Sequence, residues 1–303
     1  MLVLGVLCGL GSVARATDYF SQWDAKGFLQ PQLRVDEQKK TYIEWRRIRA
    51  YLSGPVTKDL RCAFTFDRAS EHLEMLDCYL DYTPLKGNVQ ANVKGGIFFP
   101  TWSKEGMSLP VNADEALISD SNHYKLLLRQ AGMMGSLTFD KRYMLTAGVF
   151  NGVMSFSTHN DHAFYNASFT AVEPHFTARA WTEVGDDRNA KTNAQSNATV
   201  YGAEVTDIRV GRFLSNAIYV GGRRFGKHMY GGMGELGYRL DKRHLIWGKF
   251  DWVNNTAAYN APEQRAVLSL QRQLNKWILC KVDTEYYQHE RDWRGVMNWD
   301  VWF

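Results

Sequence analysis

Apolar and polar residues alternate along this chain with a period of two, run after run, from Gly27 to Phe303. In Leu60–Phe66, residues Leu60, Cys62, Phe64 and Phe66 share one face, against Arg61, Ala63 and Thr65. In Trp277–Gln288, residues Ile278, Cys280, Val282 and Tyr286 oppose Lys281, Asp283 and Glu285. Such a period puts one apolar and one polar face on an extended strand, and no helical period is sustained for long. The runs predict strands over Gly27–Val35, Tyr42–Gly54, Leu60–Phe66, Leu73–Tyr82, Val89–Phe99, Gln130–Phe139, Tyr143–Phe150 and Phe164–Val172. They continue over Phe176–Val184, Ala198–Val210, Asn216–Gly226, Gly232–Leu240, Leu245–Trp252, Arg265–Leu274, Trp277–Gln288 and Trp293–Phe303. That is sixteen strands, with fourteen as the alternative count.

The connections alternate in length. Pro55–Asp59, Pro84–Asn88, Asp140–Arg142, Glu173–His175, Gly211–Ser215, Asp241–His244 and Asn275–Lys276 are short turns. Pro100–His123, Asn151–Ala163, Gly185–Asn197 and Val253–Gln264 are long loops. A β-sandwich has no reason to alternate in this way, whereas an outer-membrane barrel does, with its turns in the periplasm and its loops outside. Amines and carboxylates sit in mid-strand on the polar face, so that face must be wet, as the wall of a large barrel is. The expected fold is therefore all-β: a single transmembrane antiparallel β-barrel of about sixteen strands, in the cell outer membrane and in contact with its lipid. The strand that closes on Phe303 has Met297, Trp299, Val301 and Phe303 on one face. It resembles the signal that engages the barrel-assembly machinery of bacterial outer membranes.

Targeting fits that compartment. Met1 to Val13 is small and apolar and is followed by Ala14-Arg15-Ala16, a small-x-small cleavage site, although the basic n-region is missing. A signal peptide over 1–16 and a barrel over 17–303 are expected. The segment after it holds no run of the ~18–20 apolar residues that a membrane helix needs. Loss of Arg15 would take the formal net charge from +4 to +3, too little to suggest a nucleic-acid partner. Cys62, Cys78 and Cys280 would remain, an odd and widely spaced set that makes neither a disulfide framework nor a zinc site.

Several segments are similar to the phosphate-selective porin O and P family. Glu44-Trp-Arg-Arg-Ile-Arg-Ala-Tyr-Leu-Ser-Gly54 resembles its early arginine-rich strand, and Leu76-Asp-Cys-Tyr-Leu-Asp-Tyr82 the strand that follows. Lys94-Gly-Gly-Ile-Phe-Phe-Pro100, with Glu105 beyond it, resembles the segment that enters the third outer loop. Gly148-Val-Phe-Asn-Gly152 resembles a later strand end. The resemblance implies a sixteen-stranded porin, often a homotrimer.

An anion channel needs cations around its lumen. Arg47 and Arg49 share a face, Arg61 lies on the next strand, Lys94 leads to the third loop and Lys104 stands at that loop's base. These five are the candidate pore-lining, substrate-binding residues. The competing reading pairs such arginines with carboxylates such as Asp77, Asp81 or Glu204. Lys249, Asp251, Lys281, Asp283 and Glu285 mix both signs elsewhere on the polar face. No cofactor or metal is expected, and His159-Asn-Asp-His162 reads as a solvated loop. An outer-membrane hydrolase would need a serine beside a histidine and an orienting group, and no serine stands in such a setting. The expected function is a passive channel for small hydrophilic solutes with a modest preference for small anions, and the family resemblance implies phosphate-like ions among them. A structural or adhesive barrel with a plugged lumen is the alternative class.

Overall fold

The computed structural model describes residues 22–36, 38, 40–68, 73–100, 129–151, 163–188, 195–224, 226–254, 262–289 and 291–303. The expected signal segment, Lys104 and the His159–His162 pair lie outside them. The strands are β1 (Asp24–Val35), β2 (Thr41–Pro55), β3 (Leu60–Asp67), β4 (Glu74–Leu85), β5 (Val89–Phe98), β6 (Gln130–Phe139), β7 (Tyr143–Phe150) and β8 (Phe164–Glu173). The others are β9 (Phe176–Arg188), β10 (Gln195–Val210), β11 (Phe213–Arg224), β12 (Lys227–Arg239), β13 (His244–Val253), β14 (Glu263–Asn275), β15 (Ile278–Tyr287) and β16 (Asp292–Trp302). Each pairs with the next, and β1 pairs antiparallel with β16, so the sheet closes into a transmembrane barrel of sixteen strands. Closure matters because hydrocarbon offers no partner for a backbone N–H or C=O, and only a sheet without edges satisfies them all. At the seam Gly27 N–H donates to the Phe303 carbonyl at 2.7 Å, and Phe303 N–H to that of Gly27 at 3.2 Å. The Phe303 ring lies over Gly27, where a Cβ would come within 2.1 Å of it, so a larger residue there would displace the terminal ring.

All seven connections at one end are turns of two to four residues, among them 56–59, 174–175 and 276–277. This is the turn end; the connections 99–129, 151–163 and 254–262 lie at the other, the loop end. The ladder runs further toward the loop end than alternation suggests. Both ends of the expected loop Gly185–Asn197 are strand, because β9 and β10 stay paired out to Arg188 and Gln195. Asp186 and Asp187 break the apolar rhythm, but a ladder that rises past the membrane needs no apolar face. Similarly β12 begins at Lys227, paired with Arg224, rather than at Gly232.

The side chains invert the usual order of burial. Outward residues such as Leu80, Leu268 and Val282 are about half exposed, while inward Lys281 and Asp283 are each only 1% exposed. A bilayer demands this arrangement: the outer band meets lipid and the charged face is enclosed. Aromatic residues edge the band. Phe139, Tyr143, Phe176, Phe213, Tyr238 and Trp277 lie toward the turn end. Tyr165, Tyr201, Tyr219, Tyr230 and Trp293 lie toward the loop end. Neighbouring rings touch, as in Phe213–Tyr238 at 5.0 Å and Tyr286–Trp293 at 4.7 Å between centroids. Cys62 and Cys78 are on adjacent strands as free thiols, in register with Leu80 and Phe64 respectively.

This sidedness sets the cost of a misplaced charge. Leu80→Arg or Val282→Arg, both outward in mid-strand, should lower the unfolding free energy in vesicles by about 2–4 kcal/mol. Thr65→Arg, on the inward face, should cost much less, and equilibrium urea unfolding of the three variants measures the difference.

Candidate functional site: the inner wall of the barrel

Four of the five residues expected to line a pore come together on one wall. β2 carries Arg47 and Arg49, two residues apart on the inward face, in register with Gln30 and Phe28 of β1. The register also sets Arg49 opposite Asp67 of β3. Its Nε donates to Asp67 Oδ2 at 3.1 Å, Nη2 donates to the same oxygen, and Nη1 donates to the Tyr51 hydroxyl at 3.4 Å. Arg61, in register with Asp81 of β4, lies near the turn end and is exposed. It lines a cavity of about 620 Å³ with Lys58, Asp59, Thr83, Lys86 and Lys141. Lys94 of β5 is 4.0 Å from Asp81 and lies over the rings of Tyr79 and Phe98, at 4.5 and 5.4 Å. Lys104 is outside the described residues.

A fifth cation belongs with these. Arg129, just before β6, donates from Nε to Asp77 Oδ1 at 2.8 Å and from Nη2 to Oδ2 at 3.4 Å, with its guanidinium 3.8 Å over the Phe99 ring. Its position just before the expected strand Gln130–Phe139, outside any alternating run, hid it from the alternation. The wall from β2 to β6 is thus a run of arginine and lysine interleaved with Asp67, Asp77 and Asp81.

The wall from β12 to β16 is also charged, and more tightly knit. Arg265 grips Asp251 with two bonds, Nε to Oδ1 at 3.1 Å and Nη2 to Oδ2 at 2.8 Å, and Lys249 lies 3.9 Å from the same carboxylate. Lys281 pairs with Asp300 at 2.9 Å, and Gln30 donates to Asp300 across the seam at 2.9 Å. Glu235 accepts from Asn216 at 2.7 Å. Further round, Arg179 meets Glu204 at 2.9 Å and Arg224 meets Glu183 at 3.7 Å. An apolar patch interrupts the charge: Trp181, Val200, Ile218, Val220, Met229 and Met233 pack together on β9–β12. Gly202 makes room for it, since a Cβ there would lie 2.4 Å from the Trp181 ring. Chemically, the wall offers fixed charges of both signs and hydrogen-bonding groups to whatever passes. Among the described residues, no group of His, Cys, Asp and Glu is placed to hold a metal ion.

No protein-family model and no curated relative matches the sequence. Solved structures do match in shape. OmpF of Salmonella typhi superposes with a TM-score of 0.71 over 93% of this chain and 97% of its own, at 9% identity. The anion-selective porin of Comamonas acidovorans gives 0.68 over 93% and 99%, at 10% identity. OmpT, an outer membrane protein of Vibrio cholerae solved in a trimer form, gives 0.68 over 93% and 99%, at 13% identity. The fold is that of the outer-membrane porins. The paired charges described above lie on the inner face of that barrel.

Breaking one of these pairs should be expensive. Asp251 is fully enclosed, and Asp251→Asn would leave Arg265 and Lys249 facing each other without their shared carboxylate. Removing one partner of a buried pair typically costs ~3–5 kcal/mol. Urea unfolding should show a loss of that order, against about 0.5 kcal/mol or less for Asp59→Asn at the rim.

Proposed function

We propose that this protein is an outer-membrane porin, a passive diffusion channel for small hydrophilic solutes and not an enzyme. The observation that carries the reading is a closed sixteen-stranded barrel with charged side chains over most of its inner wall. Charges at that density suit a wall that serves water and solutes, and the apolar exterior suits the bilayer. The barrel-assembly machinery would insert it through the Trp293–Phe303 strand, with the turns toward the periplasm. A homotrimer is the expected assembly, as in the trimer form of the Vibrio cholerae protein.

The finer reading is a modest preference for anions, phosphate-like ions among them. It rests on the resemblance to the phosphate-selective porin family and on the gathering of Arg47, Arg49, Arg61 and Lys94 on one wall. The Comamonas acidovorans porin, similar in fold, is anion-selective. Pairing limits the size of the effect. A cation held within about 4 Å of a carboxylate presents a dipole to the lumen rather than a net field. Arg49, Lys94 and Arg129 are held in this way, so the preference of this wall is modest, and Arg61, exposed near the turn end, is its most accessible cation.

Planar-bilayer recording under a salt gradient tests both levels. Wild type should conduct, with a reversal potential displaced toward the anion side. Arg47→Glu with Arg61→Glu, leaving the Arg49–Asp67 pair intact, should shift it several-fold in permeability ratio toward cations. Conductance with unchanged selectivity would remove this cluster from the filter. No conductance would favour a structural barrel with a plugged lumen.

A further inference from the structure

On the outside of the barrel, at the turn end of β13–β15, a group of cations faces away from the channel. Arg272 is outward on β14, in register with His244 of β13 and Cys280 of β15. Arg243 sits in the turn 240–243, which lies against β14 because Gln273 N–H donates to the Arg243 carbonyl at 2.8 Å. Lys276, in the turn 276–277, holds its ammonium 4.6 Å from the centre of the Trp277 ring, in the aromatic edge of the lipid-facing band. All three side chains are exposed, and none has an ion-pair partner among the described residues. This differs from β7 and β8, where the turn-end Arg142 is paired with Glu173.

The neighbouring carboxylate is already committed. Asp241 accepts the N–H of Arg243 at 2.7 Å, the N–H of His244 at 2.8 Å and the His244 ring Nδ1 at 2.8 Å. The Arg243 N–H, then the His244 ring and N–H, hold it ionised down to a pKa of about 2. Its charge is spent on its own turn. Directly beyond Arg272 toward mid-membrane, the next register row is Ile246, Leu270 and Val282, all outward and exposed. Cations therefore stand at headgroup height with an aliphatic strip immediately beneath them.

We propose that Arg243, Arg272 and Lys276 form a binding site for an anionic phospholipid, with its phosphodiester against the three cations and an acyl chain along Ile246, Leu270 and Val282. Charge complementarity selects the occupant: an arginine fork matches phosphate oxygens, and an exposed aromatic beside a lysine marks the interfacial layer. The site rests on the membrane-spanning reading above but not on conduction. It takes its ligand from the leaflet at the turn end.

Native mass spectrometry of the full refolded chain in detergent, with cardiolipin or phosphatidylcholine as probe, tests this. Wild type should retain cardiolipin and little phosphatidylcholine. Each Lys or Arg near an anionic lipid surface is worth about a fivefold change in binding. Arg272→Gln should therefore weaken cardiolipin retention about fivefold, and Arg243→Gln, Arg272→Gln and Lys276→Gln together well over tenfold. Arg272→Lys should keep most of it, and Lys58→Gln with Lys86→Gln, on the far side of the rim, should change nothing. Heat-modifiable mobility reports folding of each variant, and Arg272→Gln decides the matter if the triple variant does not fold. Equal retention of the two lipids, or undiminished retention by Arg272→Gln, would overturn the site. Displacement of cardiolipin by excess inorganic phosphate would reassign it to a free-anion site. The triple variant should conduct as wild type does, and a wild type that binds cardiolipin without conducting would remove the channel and leave the lipid site.

Discussion

Closure of the hydrogen-bonded ladder between β1 and β16 is the constraint on which the rest depends. In hydrocarbon every unpaired peptide group costs several kcal/mol, so the sheet must meet itself. The Gly27–Phe303 exchange, the Gln30–Asp300 bond inside and the Phe303 ring packed outside over Gly27 all sit on that seam. Once the sheet is closed, each residue is committed to inside or outside by its parity, and a register slip of one would turn every lysine and aspartate to lipid.

The inner wall then faces a problem of its own. Arginine, lysine, aspartate and glutamate are crowded onto a concave surface, where like charges would repel one another. The answer is pairing along and across strands, as in Arg49–Asp67, Arg129–Asp77, Arg265–Asp251 and Lys281–Asp300. Pairing holds the side chains in place, and it mutes the field that a solute would feel. At the outer rim Arg272 and Lys276 have no carboxylate partner among the described residues and are exposed.

Much of this was legible in the chain. Period two identified all sixteen strands, and the limits of β6 and β7 coincide with the ends of their apolar alternation. The common face of Arg47 and Arg49 followed from parity, and the neighbouring position of Arg61 from a short turn. What the pattern misses has physical causes. Where the ladder rises beyond the lipid, as in β9, β10 and the start of β12, no solvent difference separates the two faces, and alternation fades while pairing continues. Ile218 and Val220 point inward although Tyr219 between them is also apolar, so the sequence offers no contrast from which to assign the face. Arg129 was hidden because a residue just before a strand has no parity to read. The pairing of Arg49 with Asp67, rather than with Asp77 or Asp81, depends on register.

The central claim is that one face of every strand meets water and the other meets lipid. The most direct measurement is single-cysteine scanning along β15, residues 279–287, in the reconstituted barrel with the native cysteines replaced. A membrane-impermeant thiol reagent reports the aqueous face, and a lipid-borne quencher of an attached fluorophore reports the other. The account predicts that 281, 283 and 285 react from water while 280, 282 and 284 are quenched from lipid. Uniform reactivity along the strand, or a period near 3.6 residues, would contradict it.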